Sequence, residues 1–175
     1  MLRGLCLVVL LLAAAPGEAD EAAIPELSCS LAAPAELPAG EAVHLRIGMH
    51  NGGTQSVEVL RWSTPWEGRW AAPFVAVSRD GVALGYGGRM VKRSRPQAED
   101  WFVLVAGGTV TGEVDLSAVY DLSVPGSYQI APRLRLLDVR IMGAGRRAPG
   151  EASSARPLDC PAAVIRVTPA AAASP

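Results

Sequence analysis

The sequence predicts an all-β chain folded as an antiparallel sandwich of seven to nine short strands. Three observations carry this. Apolar and polar residues alternate at a two-residue period in segment after segment, the pattern of strands with one face in a core. Turn signals, among them Asn51-Gly52-Gly53, Asp80-Gly81 and Gly107-Gly108, separate those segments. Beyond the N-terminal apolar run, no segment sustains an apolar period of 3.6 residues, so nothing calls for a layer of helices.

The chain opens Met1-Leu2-Arg3, runs apolar from Leu5 to Ala15 and continues with small residues. That is the layout of a secretory signal peptide, and residues 1–19 are assigned to it, with cleavage expected after Ala19. The run is shorter than the roughly 20 apolar residues a bilayer span needs, so no stable membrane insertion is expected after cleavage. A lipid anchor is not expected either. Cys6 precedes the apolar run, and Glu26 holds the place three before Cys29 where a lipid-attachment box has leucine. The exported part keeps two cysteines, Cys29 and Cys160, an even pair that predicts a disulfide between the first and last strands. As metal ligands they have neither a CxxC spacing nor a nearby histidine. Residues 20–169 are expected to form a single sandwich domain, with residues 170–175 as a disordered tail.

In "AVHLRIGMH", Val43, Leu45, Ile47 and Met49 share one face of a strand. Asn51-Gly52-Gly53-Thr54 then predicts a hairpin with "SVEVLRW". "FVAVSRDG", "VALGY", "WFVLV" and "TVTGEVDL" read as further strands. "VPGSYQIAPRLRLLDVRI" changes parity near Leu136-Leu137, which asks for a bulge or turn there. Residues 143–157, "GAGRRAPGEASSARP", have the composition of a mobile loop, and "AAVIRV" reads as the final strand. Residues 115–123, "DLSAVYDLS", suit a crossing between sheets with one helical turn. "PGSYQI" has the Gly-x-Tyr-x-apolar order found where an immunoglobulin-like domain enters a late strand, its tyrosine hydroxyl bonding back to a nearby loop.

Composition narrows function by exclusion. Sixteen basic residues face seventeen acidic ones, so a nucleic-acid binder, which needs a strongly basic surface, is not expected. Fifteen of the sixteen are arginine; with the heavy use of alanine, glycine and proline this points to a GC-rich bacterial genome, and so to a periplasmic or extracellular location. The two histidines, His44 and His50, lie on the polar face of one strand, about 20 Å apart at strand rise. They are too far apart to share a metal ion, and there is no His-Glu-x-x-His or Gly-x-Ser-x-Gly. A non-catalytic protein without cofactor or metal is the expectation.

That leaves binding. "RWSTPWEGRW" puts Trp62, Trp66 and Trp70 four residues apart, with Pro65 and Gly68 between them. The spacing is helical, but proline and glycine disfavour a helix interior, so a structured loop is expected after a strand that ends near Trp62. The rings either cap the core or stand out as a binding surface, tryptophan being favoured at binding hot spots. Tryptophan platforms also suit sugars, a third reading with no other support. "GRMVKRSRP" collects Arg89, Lys92, Arg93 and Arg95, either a solvated loop or a second contact surface.

These motifs have a family likeness. "LRWSTPWEG" resembles a Leu-x-Trp-x-Thr-Pro-x-Glu-Gly motif in the non-catalytic N-terminal region of bacterial zinc endopeptidases of the deuterolysin and peptidyl-Lys metalloendopeptidase (aspzincin) family. "HNGGTQSVEVL", "VSRDGVALGYGGRMVKR" and the segment from Arg95 to Ile130 continue the likeness in the same order, over roughly residues 27–135. In those enzymes this region precedes a catalytic domain with His-Glu-x-x-His and an aspartate ligand. These 175 residues hold no such motif, so no catalytic residue carries across. The resemblance implies an immunoglobulin-like module that assists, masks or targets a secreted zinc metalloprotease, as an accessory, prodomain-like or inhibitor protein. Its expected partner-binding loop is Trp62, Thr64, Pro65, Trp66, Glu67 and Trp70, with Arg89, Lys92 and Arg93 as a second loop. The alternative is a structural or interaction module of the cell envelope with no protease partner.

Overall fold

The computed structural model describes residues 26–143 and 155–170. The predicted signal segment 1–19, residues 144–154 of the predicted mobile loop and the tail beyond Ala170 lie outside the described residues. The described residues form thirteen strands, numbered in chain order. Five of them are two or three residues long, and eight run from four to eight residues, so the total exceeds the expected seven to nine by short edge pieces.

One sheet has the order β1 (Leu27–Ala32), β3 (His44–Asn51), β8 (Thr109–Asp115). A second has the order β2 (Glu36–Pro38), β13 (Ala163–Thr168), β9 (Gly126–Pro132), β5 (Val75–Arg79), β6 (Val82–Ala83). A third joins β11 (Val139–Ile141), β4 (Val57–Leu60) and β7 (Trp101–Leu104), and β10 (Leu134–Leu136) pairs with β12 (Arg156–Leu158). The pairings are antiparallel except one, β2 alongside β13. The first edge of the sandwich is therefore split, with β1 in one sheet and β2 in the other.

Two-residue alternation dictates this layering, because every second side chain of a half-buried strand must leave water. Leu45, Ile47 and Met49 of β3 are fully buried, as are Tyr128 and Ile130 of β9 and Ile165 of β13. One hydrophobic cluster draws on all the sheets, including the short β10–β12 pair. Each large side chain so buried contributes about 1.5–3 kcal/mol. Tyr128 bonds back as its motif suggests, its hydroxyl donating to Val124 O at 2.6 Å. Residues 115–123 do cross between sheets, from β8 to β9, with a single 3-10 turn at Leu116–Ala118. The parity change near Leu136 is a break between β10 and β11.

The predicted hairpin does not form. β3 pairs with β1 and β8, while β4 joins β7 and β11 in another sheet. The cause is Asn51, whose side chain is wholly buried. Its Nδ2 donates to Gln55 O, Leu104 O and Val105 O, and its Oδ1 accepts from Gly53 N. Those bonds turn the chain out of β3 and tie it to the β7–β8 connection, which crosses between the same two sheets. The loop predicted at 143–157 is also too long at its far end. Arg156–Leu158 is a strand, because Leu158 pairs with Leu134 in the core, and Pro157 is tolerated because the pairing is two-stranded among the described residues.

Cys29 and Cys160 form the predicted disulfide, with Cα atoms 4.8 Å apart. It ties β1 to the turn between β12 and β13, just ahead of the last strand rather than within it. None of the described helical turns is long and apolar enough to cross a membrane.

Candidate functional site

The tryptophan stretch is one tight turn. Proline at its first position has the φ of a helix already set, and Pro65–Glu67 makes a single 3-10 turn. Thr64 stays extended before it and donates its hydroxyl to Arg61 O at 2.6 Å. Gly68 closes it at φ +75°, its N–H donating to Pro65 O, a conformation glycine adopts without strain. Proline and glycine thus confine the helical spacing of the tryptophans to one turn.

That turn sits directly on β8 at Gly112. A Cβ on Gly112 would lie 2.9 Å from three atoms of Pro65, two of them backbone. Gly112→Ala is therefore expected to lift the turn and lose about 1–3 kcal/mol of stability, read as a lower urea midpoint. An unchanged midpoint would mean the turn does not rest there.

The rings face inward. Trp62 and Trp66 are 7% and 9% exposed, and Thr64 and Pro65 are buried. Trp66 packs in the core cluster with Phe102 at 6.1 Å. Trp70 stacks on Phe74 at 4.3 Å and donates its Nε1–H to Asp115 O. Trp62 donates its Nε1–H to Asp100 Oδ1 at 2.7 Å. Of the ten residues, Gly68 and Arg69 are the exposed ones.

Glu67 binds the two predicted loops together. Its side chain is 5% exposed, and a buried carboxylate is kept ionised only by partners. Oε2 accepts from Ser63 N at 3.0 Å, and Oε1 accepts from Arg69 Nε at 2.9 Å and from the Arg93 guanidinium. Arg93 also lies over the Trp62 ring, 5.2 Å from its centroid. Arg93 therefore faces the protein, whereas Arg89 and Lys92 are exposed.

Burial pushes the Glu67 carboxyl up, but the Ser63 amide, Arg69 and Arg93 together outweigh it and hold the carboxyl below the ordinary glutamate range. A folded value below the unfolded one adds stability that is complete above the unfolded value and is lost as pH falls through the folded one. Glu67→Gln is expected to flatten the acid side of the stability profile below the ordinary glutamate range, measured by urea unfolding at stepped pH. Parallel profiles for the two proteins would sink this assignment.

Other residues of this region carry little signal in the sequence. Asp100 holds Trp62 and also accepts from Gln97 N. On the outer face of the third sheet, Arg140 lies 4.0 Å from the Trp101 ring centroid and donates to Glu58 at 2.6 Å. An open cleft of about 470 Å³ runs beside them, lined also by Arg95, Gln97 and Asp138. The fourth tryptophan, Trp101, was its one available sign. His44 and His50 stand opposite Asp115 and Thr109 on β3, and among the described residues no three histidine, cysteine or carboxylate side chains gather as a metal site.

No protein-family model matches the chain. Over 88 residues, 50% of the chain, it is 35% identical to an extracellular protease of Aeromonas hydrophila. Half of this chain is similar to part of a secreted enzyme. The chain spans 25% of that protease's length, so the likeness is to a portion of it. The aspzincin assignment drawn from the motifs is narrower than this similarity reaches. Among solved structures, the CARDB domain of a Pyrococcus furiosus protein, in complex with di-metal ions, covers 86% of this chain and 99% of its own. The identity is 11% and the TM-score 0.35, a slight likeness.

Proposed function

We propose that the chain is an exported, non-catalytic β-sandwich that binds protein in association with an extracellular metalloprotease, as an accessory, prodomain-like or inhibitor module. The observation that carries this is the 35% identity with an extracellular protease over half the chain. The disulfide, the signal layout at the N-terminus and the extracellular relative together support export to the periplasm or the medium.

The contact surface we assign is the outside of the fastened loops: Arg69 beside the turn and Arg89 to Lys92 beyond it, all exposed. Glu67, Arg93 and Trp62 hold the turn and the far end of the second loop in one geometry, and a preorganised contact loses less entropy on binding than a loose one. The tryptophans then act as its foundation, without touching the partner.

The test is a calorimetric titration of purified mature protein against the secreted metalloprotease of the same organism, with peptide hydrolysis followed in parallel. Saturable binding, weakened at least tenfold by the surface variant Arg69→Ala/Lys92→Ala, is the expected result. No heat and no change in hydrolysis at tens of micromolar would sink the reading. Burial of Trp62 and Trp66 favours a second reading, an envelope module whose tryptophans only complete the core.

A further inference from the structure

Between β6 and the 3-10 turn at Ala98–Asp100, residues 84–97 form neither helix nor strand. In their middle, Arg89 to Lys92 are all exposed, with Met90 at 77% and Val91 at 41%. Lys92 is the only lysine of the 175 residues, and no carboxylate occurs between Asp80 and Glu99. The segment presents basic and apolar side chains alike, without an acidic residue of its own to neutralise them.

The anchors before and within it are single hydrogen bonds. Before it, Gly87 N donates to Val119 O and the Tyr86 hydroxyl donates to Arg89 O. Within it, Val91 N donates to Ala71 O, and after it Arg93 meets Glu67. A few such bonds open locally at far lower free energy than a strand of a sheet, and exposed loops of this kind are where folded chains are nicked.

Topology decides what a cut there does. β1 to β6 precede Lys92, and β7 to β13 follow it. Each of the three larger sheets takes strands from both sides of that point: β3 pairs with β8, β4 with β7 and β11, β5 with β9, and β2 with β13. The disulfide also spans it, Cys29 on one side and Cys160 on the other. A chain cut after Lys92 has two pieces locked together both by hydrogen-bonded strands and by a covalent bond.

We propose that Arg89–Arg93 is a nicking site, at which an endoproteinase selective for basic residues converts the folded chain into a disulfide-linked two-piece form. One water molecule is consumed; the Lys92–Arg93 peptide bond breaks, leaving a carboxylate on Lys92 and an amino group on Arg93. The proposal deepens the assignment of this loop to a protease-facing surface, but the cut itself does not depend on which protease is the partner.

The probe is a lysine-specific endoproteinase at a low ratio to the native, full-length protein, with products weighed by mass spectrometry and run on gels with and without reductant. The expected result is one cut, after Lys92, giving a single band without reductant and two with it, while the circular dichroism spectrum of a folded β protein persists. Lys92→Gln should abolish the cut. Native protein left intact under conditions that cut its urea-unfolded form after Lys92 would overturn the proposal, as would separation of the two pieces without reductant. Binding to the metalloprotease, measured by the titration above on uncut protein, fails or succeeds independently.

Discussion

Removing the Cys29–Cys160 disulfide is expected to lower stability by about 2–5 kcal/mol. The two cysteines are 131 residues apart, and closing a loop of that length gives about 5 kcal/mol in the chain-entropy model, the upper end of the range. The effect acts on the unfolded chain, which the bond keeps from spreading. The folded arrangement does not depend on it, because β1 is paired to β3 at six positions and β13 to β9 at five. Cys29→Ser/Cys160→Ser should therefore keep a folded β spectrum while its urea midpoint falls by roughly 1–3 M. Reduction of the wild-type protein should reproduce that shift. An unchanged midpoint after reduction would show that the ends of the domain are already held together without the bond.

The strands were legible because their signal is local: a two-residue period states which residues leave water, whatever the partner strand. Pairing is not local. The run from His44 to Asn51 and the run from Val57 to Leu60 look like the arms of a hairpin, and nothing nearby contradicts that. What separates them is the side chain of Asn51 meeting carbonyls of Leu104 and Val105, more than 50 residues away. The same limit hid the role of Glu67. Glu67 read as part of a partner-binding loop, whereas its burial rests on Ser63 and Arg69 nearby and on Arg93, 26 residues later. Cys29 and Cys160 were legible as a pair because the predicted signal segment takes Cys6 and leaves two cysteines. Arg156–Leu158 was not legible as a strand, since arginine and proline mask its one apolar contribution, Leu158. The tryptophan loop lay between these cases. Pro65 and Gly68 announced a turn, while the direction of the rings depended on Gly112 leaving room and on Phe102 and Asp100 receiving them.

Trp66→Ala is expected to cost about 3–5 kcal/mol, the range for emptying a large aromatic site in a core. The ring is 9% exposed, belongs to the main hydrophobic cluster and packs with Phe102. Its Nε1–H is buried without a hydrogen-bond partner among the described residues, which itself costs about 1–3 kcal/mol. Trp66→Phe removes that N–H while keeping most of the apolar ring, so it should cost less than half as much as the alanine variant. Arg69→Ala removes one partner of Glu67 but leaves those from Ser63 and Arg93, so it should cost about 1 kcal/mol, well below the alanine change at Trp66. Urea unfolding of the three variants orders them, and an alanine cost below 1 kcal/mol would mean the ring is not a core residue. The same set separates the two functional readings. If the fastened loops form the contact surface, Arg69→Ala weakens partner binding by more than its small stability loss accounts for, and Trp66→Ala weakens it only as far as the turn shifts. If the module is purely structural, both variants change stability alone, Trp66→Ala by much the larger amount. The alanine variant reads the foundation and the arginine variant reads the surface, so a stability loss at Trp66 is not by itself evidence of a binding role.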